Sequence, residues 1–237
     1  MTDVHLRFSN RSLPWLGLAI VLPTLLAAIW FVGFVSSTGD RLEHDRILAL
    51  ARTVTATLES ERIAALTGVS SDVGTANFDT VRDELRRARD VNPDFRFVYL
   101  MRPALGESKK MAFLADAESP ESPDYSAPGD LYDGPDEDLW AAWKTGTALV
   151  QPPHQDDWGR WVTAVAPVRD RDGKVLAMLG MDMRADSWSA TLDRYRAFAM
   201  AICALVLLLE GLFLLGLRLE KKNKHRLAAL NTKLAQQ

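Results

Sequence analysis

Two long apolar runs interrupt an otherwise mixed chain. From Leu13 to Ser37 no position is charged, and from Ala197 to Leu217 the only charge is Glu210. At 1.5 Å per residue each run reaches the roughly 20 residues that cross a hydrocarbon core of about 30 Å. The pattern therefore predicts transmembrane helices over 13–37 and 197–217. A cleaved signal peptide is the competing reading for the first run, but its apolar region would be only about 7–15 residues long. Trp15 and Trp30 suit the interfacial belts, and Pro23 is tolerated inside a membrane helix. Glu210 at mid-bilayer costs about 2.5–3.5 kcal/mol, too little to defeat so long a span.

Between the runs the period of the apolar positions changes along the chain. Ile47, Leu50, Val54 and Leu58 recur every three or four residues, predicting one long helix that stops at Gly68. A second helix is expected with Asn77 as N-cap and Phe78, Val81, Leu85 and Ala88 on one face, ended by Asn92-Pro93. Then the period becomes two. FRFVYLMR (95–102) and KMAFLADA (110–117) read as strands, as do GRWVTAVAPVR and KVLAMLGMDM around the hairpin signal Asp170-Arg171-Asp172-Gly173. A Pro/Ser/Asp-rich loop over 118–135 and a short helix, DEDLWAAWKTG, lie between the two strand pairs. From Arg184 a helix leads into the second span. This order predicts an α+β fold: a PAS-like antiparallel sheet with a long N-terminal helix against it, flanked by two transmembrane helices.

Charge sets the orientation. Arg7 and Arg11 precede the first span, and Arg218, Lys221, Lys222, Lys224, Arg226 and Lys233 follow the second. The positive-inside rule then puts the stubs 1–12 and 218–237 in the cytoplasm and 38–196 outside, in a periplasm or its equivalent. That middle segment carries 20 basic and 28 acidic residues, a net charge of −8. A pI near 5.8 gives no basic footprint for nucleic acid. The single cysteine, Cys203, excludes an intrachain disulfide and a cysteine-cluster zinc site.

Three segments, NPDFRFVYLMR, SPDYSAPGDLY and WVTAVAPVRDRDGKVLAMLGMDM, stand in this order between a membrane helix and a helix running into a second span with a basic exit. Together they resemble the PAS-like Cache (PDC) sensor domains of bacterial histidine kinases, diguanylate cyclases and chemoreceptors. The resemblance covers roughly Leu48 to Leu192 and the flanking spans. It implies a ligand site on the face of the sheet, roofed by the loop, for small carboxylates, amino acids or amines.

Asp182 is the one ionisable group in the apolar strand VLAMLGMDM. An even hairpin loop would put it on one sheet face with Trp161 and Thr163, whereas a bulged odd loop would break that parity. A half-buried carboxylate needs a partner. That partner is either Arg96, Arg102 or Arg184 in a structural ion pair, or a ligand ammonium, the role the resemblance implies for an acid in the last strand. Tyr99, Tyr125, Tyr132, Trp158 and Trp161 form either an aromatic box or plain core. Asp116, ending a strand beside the loop, binds ligand or caps the turn, and Arg102 is placed to clamp a carboxylate. The expected ligand-binding set is thus Asp182, Trp161, Thr163, Tyr99, Arg102, Asp116, Tyr125 and Tyr132.

No catalytic residues, cofactor or metal are expected. His154 with Asp156 and Asp157 reads as a solvated turn, and no G-x-S-x-G, H-E-x-x-H or P-loop motif occurs. Ala197, Ala201, Ala204, Leu208, Gly211 and Leu215 form a small-residue seam, and Leu227, Leu230 and Leu234 continue it as the start of a coiled coil. Glu210 is a polar contact in such a pair or a passenger. The chain thus reads as the input module of a transmembrane transducer, with a histidine kinase as first choice of output beyond Gln237 and a diguanylate cyclase or chemoreceptor as alternative. A stand-alone binding or scaffold protein is the reading from another class. Its partners are a small-molecule ligand, the lipid bilayer and a second copy of itself.

Overall fold

A computed structural model describes residues 12–107, 110–132 and 137–236. Arg7, Arg11, the loop end 133–135 and Asp136 at the start of the short helix lie outside the described residues. Two compact units result, Asp40–Thr191 and the pairing of residues 12–39 with 192–236.

In the first unit β1 (Phe95–Pro103), β2 (Met111–Asp116), β3 (Leu131–Tyr132), β4 (Leu149–Asp156), β5 (Gly159–Arg169) and β6 (Val175–Arg184) form one antiparallel sheet in the order β3-β2-β1-β6-β5-β4. Helix α1 (Ser12–Thr57) contributes its C-terminal part, and α2 (Ser60–Ala65), α3 (Ala76–Asp90) and α4 (Glu137–Thr145) follow in order. The fold is α+β with a long N-terminal helix, as the periodicities predict.

Local differences have physical causes. The expected single helix over the 40s to 60s breaks at Leu58–Glu59, and Glu59 is extended (φ −74°, ψ 93°). Leu58 and Ile63 are both buried, yet five residues apart they would lie some 140° apart around a continuous helix. The break turns Ile63 inward. The N-cap of α3 is Thr75, not Asn77: its hydroxyl accepts from the Phe78 amide at 3.3 Å. β4 was not expected as a strand, because Pro152 and Pro153 lie within it; it forms the sheet edge, where a missing N–H is harmless.

The sheet has two faces. Val98, Leu100, Leu114, Val162, Ala164 and Met181 are buried on one, which α2 and α3 cover. Phe97, Tyr99, Phe113, Trp161, Val165 and Met178 line the other, joined by Leu139 and Ala142 of α4.

In the second unit the N-terminal part of α1 packs along α5 (Ala185–Leu234). Both helices are long and apolar enough to cross a membrane. Ala199 is buried, and Cys203, Leu207, Glu210 and Leu214 are half-buried on the inward stripe of α5. The Thr24 hydroxyl donates to Glu210 Oε1 at 2.6 Å, and Arg196 Nε donates to Ser36 Oγ at 2.9 Å. Ala197, Ala201, Ala204, Leu208, Gly211 and Leu215 are all exposed, on a different face from that stripe.

Candidate functional site

The β5–β6 hairpin fixes the first relation. Its loop, 170–174, is odd in length, but a bulge where the register shifts between Val168 and Arg169 restores the parity. Thr163 therefore pairs directly with Asp182, and Phe97 of β1 pairs with Asp182 from the other side. Asp182 is 4% exposed, deeper than the half-buried position expected.

Its partner is not an arginine. The Thr163 hydroxyl donates to Asp182 Oδ1 at 2.6 Å and the Tyr99 hydroxyl donates to the same oxygen at 3.2 Å. Oδ2 accepts no hydrogen bond among the described residues. Burial pushes the Asp182 carboxyl up to about 7; the two hydroxyls oppose that shift and the nearby Asp156 charge adds to it. Burial, with the adjacent Asp182, also raises the Tyr99 phenol well above its usual range. The Tyr99 ring packs against Gly180, where any Cβ would collide with its hydroxyl end, so glycine there is what lets the hydroxyl reach Asp182.

The expected arginine partners are engaged elsewhere. Arg96 pairs with Glu118 at 2.5 Å and Asp124 at 2.9 Å, and the Arg184 guanidinium stands 6.0 Å above the Trp161 ring. Arg102 donates to the backbone carbonyls of Leu66 (3.0 Å) and Thr67, on the helix-covered face of the sheet. It is not placed to clamp a ligand carboxylate.

Asp116 pairs with Tyr99 across β1–β2, and a bulge at Leu100/Met101 lets it share a face with Phe113. Its Oδ1 accepts from the Glu118 amide and its Oδ2 from the Ser126 amide, both at 2.9 Å, so it pins both ends of the first part of the loop. Burial raises its carboxyl to about 6, against those amide bonds.

Asp156 closes the β4–β5 hairpin. Its Oδ1 accepts from the amides of Trp158 (2.9 Å) and Gly159 (3.0 Å) and from Trp161 Nε1 (3.0 Å). Gly159 has φ +144°, and a side chain there would press on the Trp161 ring. The turn swings Trp158 to an edge contact with Phe113 at 6.1 Å.

These groups line one cavity of about 310 Å³, its open mouth included. Aromatic walls come from Phe97, Tyr99, Phe113, Tyr132 and Trp158; polar groups come from Asp116, Asp124, Asp156, Asp182 and Ser126. Of the expected residues, Asp182, Tyr99, Asp116 and Tyr132 line it. Trp161 and Thr163 stand directly behind, the indole edge-on to Phe97 at 5.0 Å. Tyr125 instead lies under the Arg82 guanidinium at 5.9 Å. Sequence reasoning missed Asp156, read as a solvated turn, although Asp-Asp-Trp-Gly before an alternating strand is a hairpin signal. It also missed Phe97, Phe113 and Asp124 as lining residues.

A buried carboxylate with a free oxygen, inside aromatic walls, is chemically suited to an ammonium group, which gains both ion pairing and cation–π contact. No protein-family model matches the chain, and no curated protein does. Among solved structures, the ligand-binding domain of the Campylobacter jejuni chemoreceptor Tlp3 with L-valine superposes with a TM-score of 0.48 at 19% identity, covering 76% of this chain and 67% of that one. The Tlp3 sensory domain with isoleucine gives 0.47 at 18%, covering 76% and 66%. The ligand-binding domain of the Pseudomonas aeruginosa chemoreceptor PctC with GABA gives 0.29 at 18%, covering 63% and 67%. These three solved structures are ligand-binding or sensory domains of chemoreceptors.

Proposed function

We propose that this chain is the sensory region of a membrane-anchored signal transducer, with 38–196 outside the cytoplasm and a small organic cation as its ligand. Asp182 carries the reading. A carboxylate that nature leaves 4% exposed, with one oxygen unused and two hydroxyls rather than a cation on the other, is poised for a positive group from outside the chain. Asp156 joins it as a second anchor. Spans at 13–37 and 197–217, with six basic residues over 218–237, support a topology with both ends cytoplasmic. The region binds rather than catalyses, and biases two arrangements of the membrane helices by the 1–3 kcal/mol typical of such couplings. A histidine kinase is the first output reading; a chemoreceptor or diguanylate cyclase is the second.

The test is calorimetry on the whole chain in detergent, titrated with alkylamines and alkyl carboxylates. Amines are expected to bind, and Asp182→Ala to weaken them about 10–100-fold through loss of a charge-assisted hydrogen bond. Amine affinity unchanged in that variant sinks the site.

The exposed small-residue seam of α5 supports a parallel homodimer. With Cys203 removed, single cysteines placed over 197–215 are expected to crosslink every three or four positions, peaking at Ala197, Ala201, Ala204 and Leu208. Peaks on the Leu207–Leu214 stripe, or a flat profile, would overturn that dimer.

A further inference from the structure

Among the described residues, every charged side chain that lines the cavity is an aspartate. Arg96 stands behind one of them, Asp124, and divides itself between that residue and Glu118. Asp116 and Asp156 are held by backbone amides and an indole N–H, which orient a carboxylate without neutralising it. The Arg96 guanidinium, 4.4 Å from the centre of the Phe97 ring, is already paired with Asp124 and Glu118, so a ligand carboxylate would have to displace those acids to reach it and the cavity disfavours an amino acid. One ammonium would leave most of the negative charge uncompensated. A metal ion does not fit either, since no three His, Cys, Asp or Glu side chains converge on one point among the described residues.

The register spaces the charges. Asp182 on β6 and Asp116 on β2 lie on one face with β1 between them, roughly 12 Å apart in backbone position, two strand spacings across and two residues along. The β1 residues on that face are Phe97 and Tyr99, so the order across the floor is acid, aromatic, acid. Asp156 stands on the β5 side with Asp182, whereas Asp124 belongs to the loop that Asp116 pins. Asp182 supplies the buried, half-unpartnered carboxylate that points to a ligand at one end.

We propose that the cavity takes a short linear dication, an α,ω-diamine with one ammonium at Asp182 and Asp156, the other at Asp116 and Asp124, and its methylene chain across Phe97 and Tyr99. This rests on the cation reading of the site and narrows it. Methylenes meet aromatic rings and the two charges meet two pairs of acids, so both ends of the ligand are matched.

The experiment compares 1,5-diaminopentane, 1-aminopentane and 5-aminopentanoate by calorimetry on the whole chain in detergent at pH 8. The diamine is expected to bind at least tenfold more tightly than the monoamine, and the aminopentanoate more weakly than either. Asp182→Asn is expected to weaken both amines. Asp116→Asn is expected to cost the diamine tenfold or more and to abolish its advantage over the monoamine, and Asp124→Asn repeats that arm should the loop fail to form without Asp116. Equal affinity for the two amines, or tighter binding of the aminopentanoate, overturns the dication but leaves the cation site standing. Binding of neither amine, or binding indifferent to Asp182→Asn, overturns both.

Discussion

Asp182→Asn is expected to raise the stability of the ligand-free chain at pH 8 and to leave it nearly unchanged at pH 4. The carboxyl titrates at about 7 in the folded protein because burial disfavours its charge, against about 3.9 in an unfolded chain. Between those values the folded state holds the extra proton, so this group's contribution to stability falls as pH rises from about 4 to about 7 and stays low above that. Three pH units at 1.36 kcal/mol each set an upper limit of about 4 kcal/mol on what the asparagine restores at pH 8. At about 2–4 °C per kcal/mol, that is a melting shift of up to roughly 16 °C. Asparagine keeps an oxygen for the Thr163 and Tyr99 hydroxyls, so the comparison isolates the charge. Thermal unfolding followed by tryptophan fluorescence, at pH 4, 6 and 8, reads it. A variant less stable than wild type at pH 8 would show that the charge is already compensated. Asp116, raised to about 6, gives the variant a smaller residual slope of the same sign.

Ligand affinity should run the other way. An ammonium binds the ionised carboxylate, so affinity for an alkylamine is expected to be flat above pH 8 and to fall about tenfold per unit below pH 7, roughly 100-fold between pH 8 and 5. The amine stays protonated throughout, which leaves the protein's groups as the source. Those facing Asp182 are Tyr99 on β1, Asp116 on β2 and Asp156 on β4, and Thr163 on β5 is not titratable. Binding should also release a proton near pH 7, visible as an enthalpy that depends on the buffer's own ionisation heat. Affinity constant down to pH 5 would mean that the ammonium meets some other group. The two pH profiles are linked: the charge that weakens the empty fold is the one the ligand uses.

How far the sequence revealed this site follows from parity. Thr163, Trp161 and Asp182 were legible because alternation along β5 and β6 puts them on one face, and the odd loop is cancelled by the bulge. Arg102 falls outside the site by the same parity: it lies three residues from Tyr99, so the regular part of β1 points the two to opposite sides. Asp156 was only partly legible as a site residue: Asp-Asp-Trp-Gly signals the hairpin, but Pro152-Pro153 in β4 disguise the strand that the turn begins from. The helices were legible by their apolar period, except at Leu58, where a change from four-residue to five-residue spacing marks the break.

The outer strands of the sheet have a bearing on how copies of the chain meet. β3 is two residues long, and β4 holds two adjacent prolines that offer no N–H. Neither edge presents a long row of unused hydrogen-bonding groups, which is the template on which exposed sheets recruit one another into aggregates. Copies of the chain can therefore stand at high density without their sheets growing into one another.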